Sequence, residues 1–72
     1  MTSAADDQIA VYLVSTKAGL HRSCPTCSEW RPVWIGETLQ GDILTCCGVC
    51  QRVLDRTATL QEARSRTRNR PR

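Results

Sequence analysis

Two pairs of cysteines with the same spacing constrain this chain more than any other feature. Cys24 and Cys27 form the first pair, Cys47 and Cys50 form the second, and 19 residues separate the two pairs. A gap of two residues lets the backbone turn back so that both sulfurs of a pair reach one ion, at about 2.3 Å for zinc. Four thiolates fill the tetrahedral sphere of Zn²⁺ and leave no position for water or substrate. The spacing therefore predicts one structural zinc site with these four ligands.

The sequence allows only a small apolar core, so a metal would contribute much of the stability of the fold. The chain has 72 residues, no phenylalanine and only three aromatic residues, which are Tyr12, Trp30 and Trp34. Domains of this size bury a modest share of their surface and often need a disulfide or a metal. A structural zinc contributes roughly 10–16 kcal/mol of apparent binding energy in small zinc modules. We therefore expect the metal to supply stability that packing cannot.

The cysteine count and the first residues of the chain bear on its compartment. There are five cysteines, an odd number, and residues 1–7 lack the basic and apolar regions of a secretory signal. The longest apolar run covers only residues 9–14, which is too short to span a membrane. These features predict a reduced, cytoplasmic protein with no membrane partner. A disulfide-bonded or exported protein is the alternative.

Charge is divided unevenly along the chain. Residues 1–55 carry four basic and six acidic side chains, whereas residues 56–72 carry six arginines and a single acidic residue, Glu62. Arginine-rich chain ends commonly contact nucleic acid or another polyanion, and the alternative is a solvated, disordered terminus. The division predicts a polyanion-binding segment that consists of Arg56, Arg64, Arg66, Arg68, Arg70 and Arg72.

Local patterns suggest a mostly β chain in three parts. Residues 1–7 are expected to form a flexible leader, residues 8–55 the metal-binding domain, and residues 56–72 an arginine-rich tail that is partly helical or disordered. Residues 9–14 are rich in β-branched side chains, and the turn at Gly19 would pair them with a second strand in an N-terminal hairpin. A helix is the alternative for the first of these segments. In the tail, Thr59 begins a capping-box pattern that favours a short helix.

The segment between the cysteine pairs alternates in the manner of a strand. Trp30, Pro32 and Trp34 would share one face, and Pro32 would place this strand at a sheet edge because it cannot donate a ladder hydrogen bond. Residues 42–46 would form the return strand. With so few aromatic residues, the two tryptophans are expected in the core, and the alternative is that they are exposed and stack on bases.

Two cysteine pairs at the ends of β-hairpins, with a strand, a turn and a strand between them, resemble the zinc-ribbon family. The likeness covers about residues 23–54, where residues 24–28 read Cys-Pro-Thr-Cys-Ser and residues 41–46 read like the family's return strand. It implies a small β fold with two cysteine knuckles around one structural zinc, like the ribbons of transcription factors, polymerase subunits and ribosomal proteins. In that family a glycine usually follows each pair, but here Ser28 and Gln51 stand at those positions.

Two further residues near the pairs could also be ligands. Cys46 precedes Cys47 and would give the second pair a gap of three residues, but on a strand it points away from Cys47 and is expected to be buried. A reactive thiol beside the metal is its alternative role. His21, the only histidine, is a second alternative ligand. With one histidine and no phosphate-binding loop, the chain is not expected to be an enzyme or to take a small-molecule substrate.

These features favour a non-enzymatic zinc module that binds nucleic acid or a nucleic-acid machine, RNA polymerase or the ribosome. Its role would be that of a small accessory or regulatory protein in transcription or translation. A protein–protein adaptor that acts through an edge strand is the alternative. A rubredoxin-like redox protein also holds its metal with two cysteine pairs, but the basic, aromatic-poor composition argues against it.

Overall fold

Six strands and one helix account for most of the chain. The computed structural model describes residues 8–69, so the expected leader and the side chains of Arg70 and Arg72 lie outside the described residues. The strands all pair in antiparallel fashion, which confirms a mostly β fold with one short C-terminal helix. In chain order the elements are β1 Ile9–Val14, β2 Leu20–Cys24, β3 Glu29–Thr38, β4 Ile43–Cys47, β5 Val53–Thr57, α1 Leu60–Ser65 and β6 Arg68–Asn69.

The sheet is organised around β3. Its strand order is β5-β4-β3-β2-β6, and β1 also pairs with β3. The hairpin of β2 and β3 turns at the first cysteine pair, and the hairpin of β4 and β5 turns at the second. Because β3 and β4 pair from Val33 to Glu37, the two hairpins join into one sheet and their cysteine turns lie at the same end.

The prediction of an N-terminal hairpin is wrong: both strands are present, but they do not pair with each other. In place of pairing with each other, β1 pairs with the end of β3 and β2 with its beginning, at Glu29 to Pro32. A 3₁₀ turn at Thr16–Ala18 separates them, and Gly19 ends this turn with a φ of 83°. At ten residues β3 is twice as long as β2 or β4, so it can pair with two successive strands.

Pro32 does not place β3 at an edge, because β3 lies in the middle of the sheet. The Pro32 carbonyl accepts a hydrogen bond of 2.8 Å from the Gly48 N–H, just before β3 and β4 begin to pair at Val33. The N–H and carbonyl of a strand residue point to the same side. The N–H that proline lacks would therefore face the second cysteine turn and would not belong to the ladder with β2, so a central strand tolerates it.

The core lies on the face of the sheet that carries α1. Val33 and Ile35 are completely buried there, together with Ala63 of the helix. Trp30 and Trp34 alternate with these residues and therefore lie on the opposite face, where Trp30 is 40% exposed. The expectation that the tryptophans form the core is wrong, because the apolar cluster forms on the other face of β3, where Val33 and Ile35 belong to the same cluster as Ala63 of α1.

The C-terminal third is folded onto the sheet as far as it is described. The helix begins as expected: the Thr59 hydroxyl accepts a hydrogen bond of 3.1 Å from the Glu62 N–H. The expected boundary between residues 55 and 56 does not coincide with the end of an element, because β5 runs from Val53 to Thr57. After the helix, a further short strand, β6, pairs with β2, and no local pattern predicts β6. Across the described residues, no helix is both long and apolar enough to cross a membrane.

One ion-pair cluster connects the helix to the sheet. The guanidinium of Arg22 donates to the Asp55 carboxylate at 2.7 Å, and Arg66 after the helix lies 3.4 Å from the same carboxylate. Burial opposes ionisation of Asp55, but the hydrogen bond and charge of Arg22 hold the pKa of this carboxyl below its usual range. The ionised carboxylate therefore stabilises the fold at neutral pH. This contribution is lost as the pH falls through the lowered pKa.

We expect Asp55→Asn to lower the free energy of unfolding at pH 7 by about 1.5–3 kcal/mol, the range for hydrogen bonds to charged groups. The matched control is Asp42→Asn, which removes the ion pair of Arg56 at an exposed site and should cost less than about 1 kcal/mol. Urea unfolding of the metal-loaded proteins measures both. Equal losses in the two variants would show that the Asp55 cluster does not hold the helix to the sheet.

Candidate metal centre

The two hairpins bring all four paired cysteines to one point. Cys24 is the last residue of β2 and Cys47 is the last residue of β4, so the sheet places both and buries them. Cys27 and Cys50 follow in the turns and are more accessible. The first pair therefore belongs to one hairpin and the second pair to the other, and a shared ion would join the two.

The distances fit a tetrahedral metal site. The four sulfur atoms lie within 4.8 Å of one another, and those of Cys24 and Cys50 are 3.6 Å apart. Four ligands at about 2.3 Å around a tetrahedral zinc are about 3.8 Å from one another. All five cysteines are free thiols, so no disulfide competes for these sulfurs. The four paired cysteines could hold a metal ion, as the sequence predicts.

Each cysteine turn reverses through a left-handed residue. The N–H of Ser28 donates to the Cys24 carbonyl at 2.7 Å, and the N–H of Gln51 donates to the Cys47 carbonyl at 3.0 Å. Ser28 has a φ of 61° and Gln51 a φ of 69°. This conformation costs a non-glycine residue roughly 1–2 kcal/mol. These are the two positions at which zinc ribbons usually carry glycine, so the turns adopt the left-handed conformation without it.

Backbone N–H groups favour the ionised form of the Cys47 thiol. Burial disfavours its thiolate, but the N–H groups of Cys50 and Val49 point at its sulfur from 3.4 Å. Together with the neighbouring thiols, they lower the pKa of Cys47 to about 7. A thiol that is partly ionised at neutral pH is ready to bind a metal, because the thiolate is the ligand.

The neighbouring thiols oppose further ionisation. The N–H of Arg52 favours the thiolate of Cys50, but desolvation and the other sulfurs raise the pKa of Cys50 to about 11. The side chain of Arg31 favours the thiolate of Cys27 through a hydrogen bond. Desolvation and the thiols of Cys24 and Cys47 nevertheless raise the pKa of Cys27. Four thiolates cannot share this volume without a cation, since like charges at close range raise one another's pKa values. A bound dication removes that repulsion.

Two contacts that do not involve the sulfur atoms hold the cysteine turns in place. The guanidinium of Arg52, after the second pair, donates to the Thr26 hydroxyl of the first turn at 3.2 Å. Gly48 lies so close to β3 that an added Cβ would be 2.9 Å from the Pro32 carbonyl oxygen and 2.6 Å from the Thr16 methyl group. These contacts depend on residues far apart in the sequence, and the spacing of the cysteines gave no sign of them.

Neither alternative ligand joins the cluster. Cys46 is buried and pairs with Trp34 on the face opposite to Cys47, which confirms that it is a buried side chain. The Nδ1 of His21 donates to the Gly19 carbonyl at 2.9 Å, so the imidazole is bound to the turn that precedes β2. The second pair therefore consists of Cys47 and Cys50.

The arginines of the expected polyanion site do not form one cluster. Arg56 pairs with Asp42, and Arg66 pairs with Glu62 at 3.1 Å and with Asp55. Arg64 on the helix and Arg68 on β6 are exposed, and neither has an acidic partner within residues 8–69. The four described arginines of this expected site thus divide into two that are neutralised within the protein and two that are available to a ligand.

Comparisons of the chain with protein-family models, with curated proteins and with solved structures gave no match.

Cys46 and Cys47 provide a matched test of the ligand set, because they are adjacent and differ in the face they occupy. We expect Cys47→Ala to weaken metal binding by more than roughly 100-fold, beyond the effect of changing an outer-shell residue. Cys46→Ala should keep one metal per chain and cost about 1 kcal/mol of stability through the lost packing. Native mass spectrometry reports the metal content. Loss of the metal from Cys46→Ala with retention by Cys47→Ala would overturn the assignment.

Proposed function

We propose that the protein is a zinc ribbon whose metal is a structural Zn²⁺ held by Cys24, Cys27, Cys47 and Cys50. The observation that carries this proposal is the approach of four sulfurs to within 4.8 Å from the turns of two paired hairpins. Thiolates are soft ligands that select zinc over harder cations. The filled coordination sphere leaves the metal no catalytic position, so its role is to fix the two hairpins relative to each other.

This rigid module binds nucleic acid in the cytoplasm, as a small accessory protein of a nucleic-acid machine, RNA polymerase or the ribosome. Support comes from the charge division, with six arginines and one acidic residue in residues 56–72. Support also comes from Arg64 and Arg68, two exposed guanidiniums with no acidic partner among the described residues. Phosphates attract such side chains without regard to sequence, and binding releases counterions.

An adaptor that acts through a free edge of β3 receives no support from the fold. This strand pairs with β1 and β2 and with β4, and these pairings use its backbone from Glu29 to Thr38. A partner strand would have to displace one of these neighbours. We therefore retain nucleic acid as the partner.

The ion pairs separate the arginines that should contact phosphate from those that should not. We expect the double variant Arg64→Gln/Arg68→Gln to reduce the slope of log affinity against log salt by about 1.4–1.8, which corresponds to two phosphate contacts. The control Arg56→Gln/Arg66→Gln removes the same charge from residues that already have acidic partners, and should change the slope by less than half as much. Fluorescence anisotropy with labelled DNA and RNA, between about 50 and 200 mM salt, measures the slopes.

Binding by the native protein decides whether the proposed function is correct. If the zinc-loaded chain binds neither single-stranded nor duplex oligonucleotides at about 50 mM salt, the proposed function is wrong. Equal slope changes in the two double variants would contradict the division of the arginines. Metal content and melting temperature identify any variant whose loss of binding comes from unfolding.

A further inference from the structure

The face of the sheet opposite α1 carries all three aromatic residues of the chain. Residues that pair directly across antiparallel strands share a face, so the register defines its members. Tyr12 pairs with Gly36, Gly36 with Leu44, and Leu44 with Arg56. We call this surface the open face. Its accessible or half-buried side chains include Tyr12, His21, Trp30, Pro32, Trp34, Val53, Arg56 and Arg68, whereas Thr38, Leu44 and Cys46 lie on the same face and are buried.

The aromatic rings of the open face are accessible to a ligand. Tyr12 is 72% exposed and Trp30 is 40% exposed, although a 72-residue chain with a small core would gain by burying them. Trp34 lies between them and is half-buried, with its ring centroid 5.2 Å from that of Tyr12. Trp30 and Trp34 are four residues apart on one strand, or about 13 Å. The rings thus follow β3 in a row along the sheet.

The charge of the open face differs from that of the helix side. On the helix side Arg22, Arg31 and Arg66 each pair with a carboxylate, so basic and acidic groups compensate one another. On the open face Arg68 pairs across the strands with His21, and neither side chain has an acidic partner among the described residues. Among the described residues, only Asp42 contributes an acidic group there, and it is engaged by Arg56. The open face therefore combines exposed rings with one exposed arginine, Arg68, that has no acidic partner among those residues.

We propose that the open face binds single-stranded nucleic acid, with bases stacked on Trp30, Tyr12 and Trp34 and with Arg68 and His21 near the phosphates. This inference rests on the proposed function and specifies its surface and its ligand. Every base has a π-face, so a row of rings accepts bases without regard to sequence. A duplex keeps those faces stacked on one another and offers the rings only its backbone. The surface consequently discriminates single strands from duplexes, which the tail arginines alone would not do.

The test measures binding of a thymidine oligomer of about 12 nucleotides, within the site sizes that such surfaces occupy, to the zinc-loaded full chain. Trp30→Leu and Tyr12→Leu remove a ring but keep an apolar side chain at each position. Each should weaken binding by about 5- to 100-fold, the range that base–aromatic stacking gives per base. Tryptophan fluorescence of the native protein should be quenched on binding, because stacking brings bases against the indole rings.

Two controls separate stacking from general attraction. Leu39→Ala removes an exposed apolar side chain from the β3–β4 connection without removing a ring, and should leave binding unchanged. A duplex of the same length should bind more weakly than the single strand, and Trp30→Leu and Tyr12→Leu should not change its affinity. Metal content and melting temperature of each variant show that the sheet is intact.

The outcomes distinguish this inference from the proposed function. If the arginine variants weaken binding while Trp30→Leu and Tyr12→Leu do not, the protein binds nucleic acid by another surface and the open face is excluded. Equal affinity for single strands and duplexes also overturns the inference. If neither form binds at low salt, both proposals fail, and the open face is left as a surface for a protein partner.

Discussion

The meeting of four cysteine sulfurs from two hairpins is the central feature of this structure. The β2–β3 hairpin supplies Cys24 and Cys27, and the β4–β5 hairpin supplies Cys47 and Cys50. The pairing of β3 with β4 joins these hairpins, together with the ion pair of Arg22 and Asp55 and the hydrogen bond of Arg52 to Thr26, and the aliphatic core beneath the sheet contains few side chains. Four thiolates this close would repel one another without a cation, so a bound metal would stabilise both the ionised cluster and the end of the sheet.

The two faces of the sheet have different roles because the helix covers only one of them. On the helix side, α1 buries Val33 and Ile35, and Asp55 binds Arg22 and Arg66. This side stabilises the fold and compensates its own charges. The other side keeps the three rings and Arg68 of β6, which has no acidic partner among the described residues. A fold secured by the proposed metal would not need these aromatic residues in its core.

Local patterns predicted the local features. The cysteine spacing identified the cluster, and the Thr59 pattern identified the helix, because both depend on residues close in sequence. Alternation showed that Trp30 and Trp34 share a face, but which face is covered depends on α1, some 30 residues later in the chain. The partner of β1 and the central position of β3 likewise depend on long-range pairing. The ion pairs of Arg56 and Arg66 with Asp42 and Asp55, which set the available charge, are contacts of the same kind.

The central claim is that the metal holds the fold, and removing the metal under reducing conditions tests it directly. Amide chemical shifts in a ¹H–¹⁵N spectrum, recorded with and without a chelator, report on every strand at once. We predict dispersed signals with one zinc per chain, collapse of the dispersion when zinc is removed, and full recovery when zinc is returned. A metal-free, reduced protein that keeps the dispersed spectrum would contradict the account.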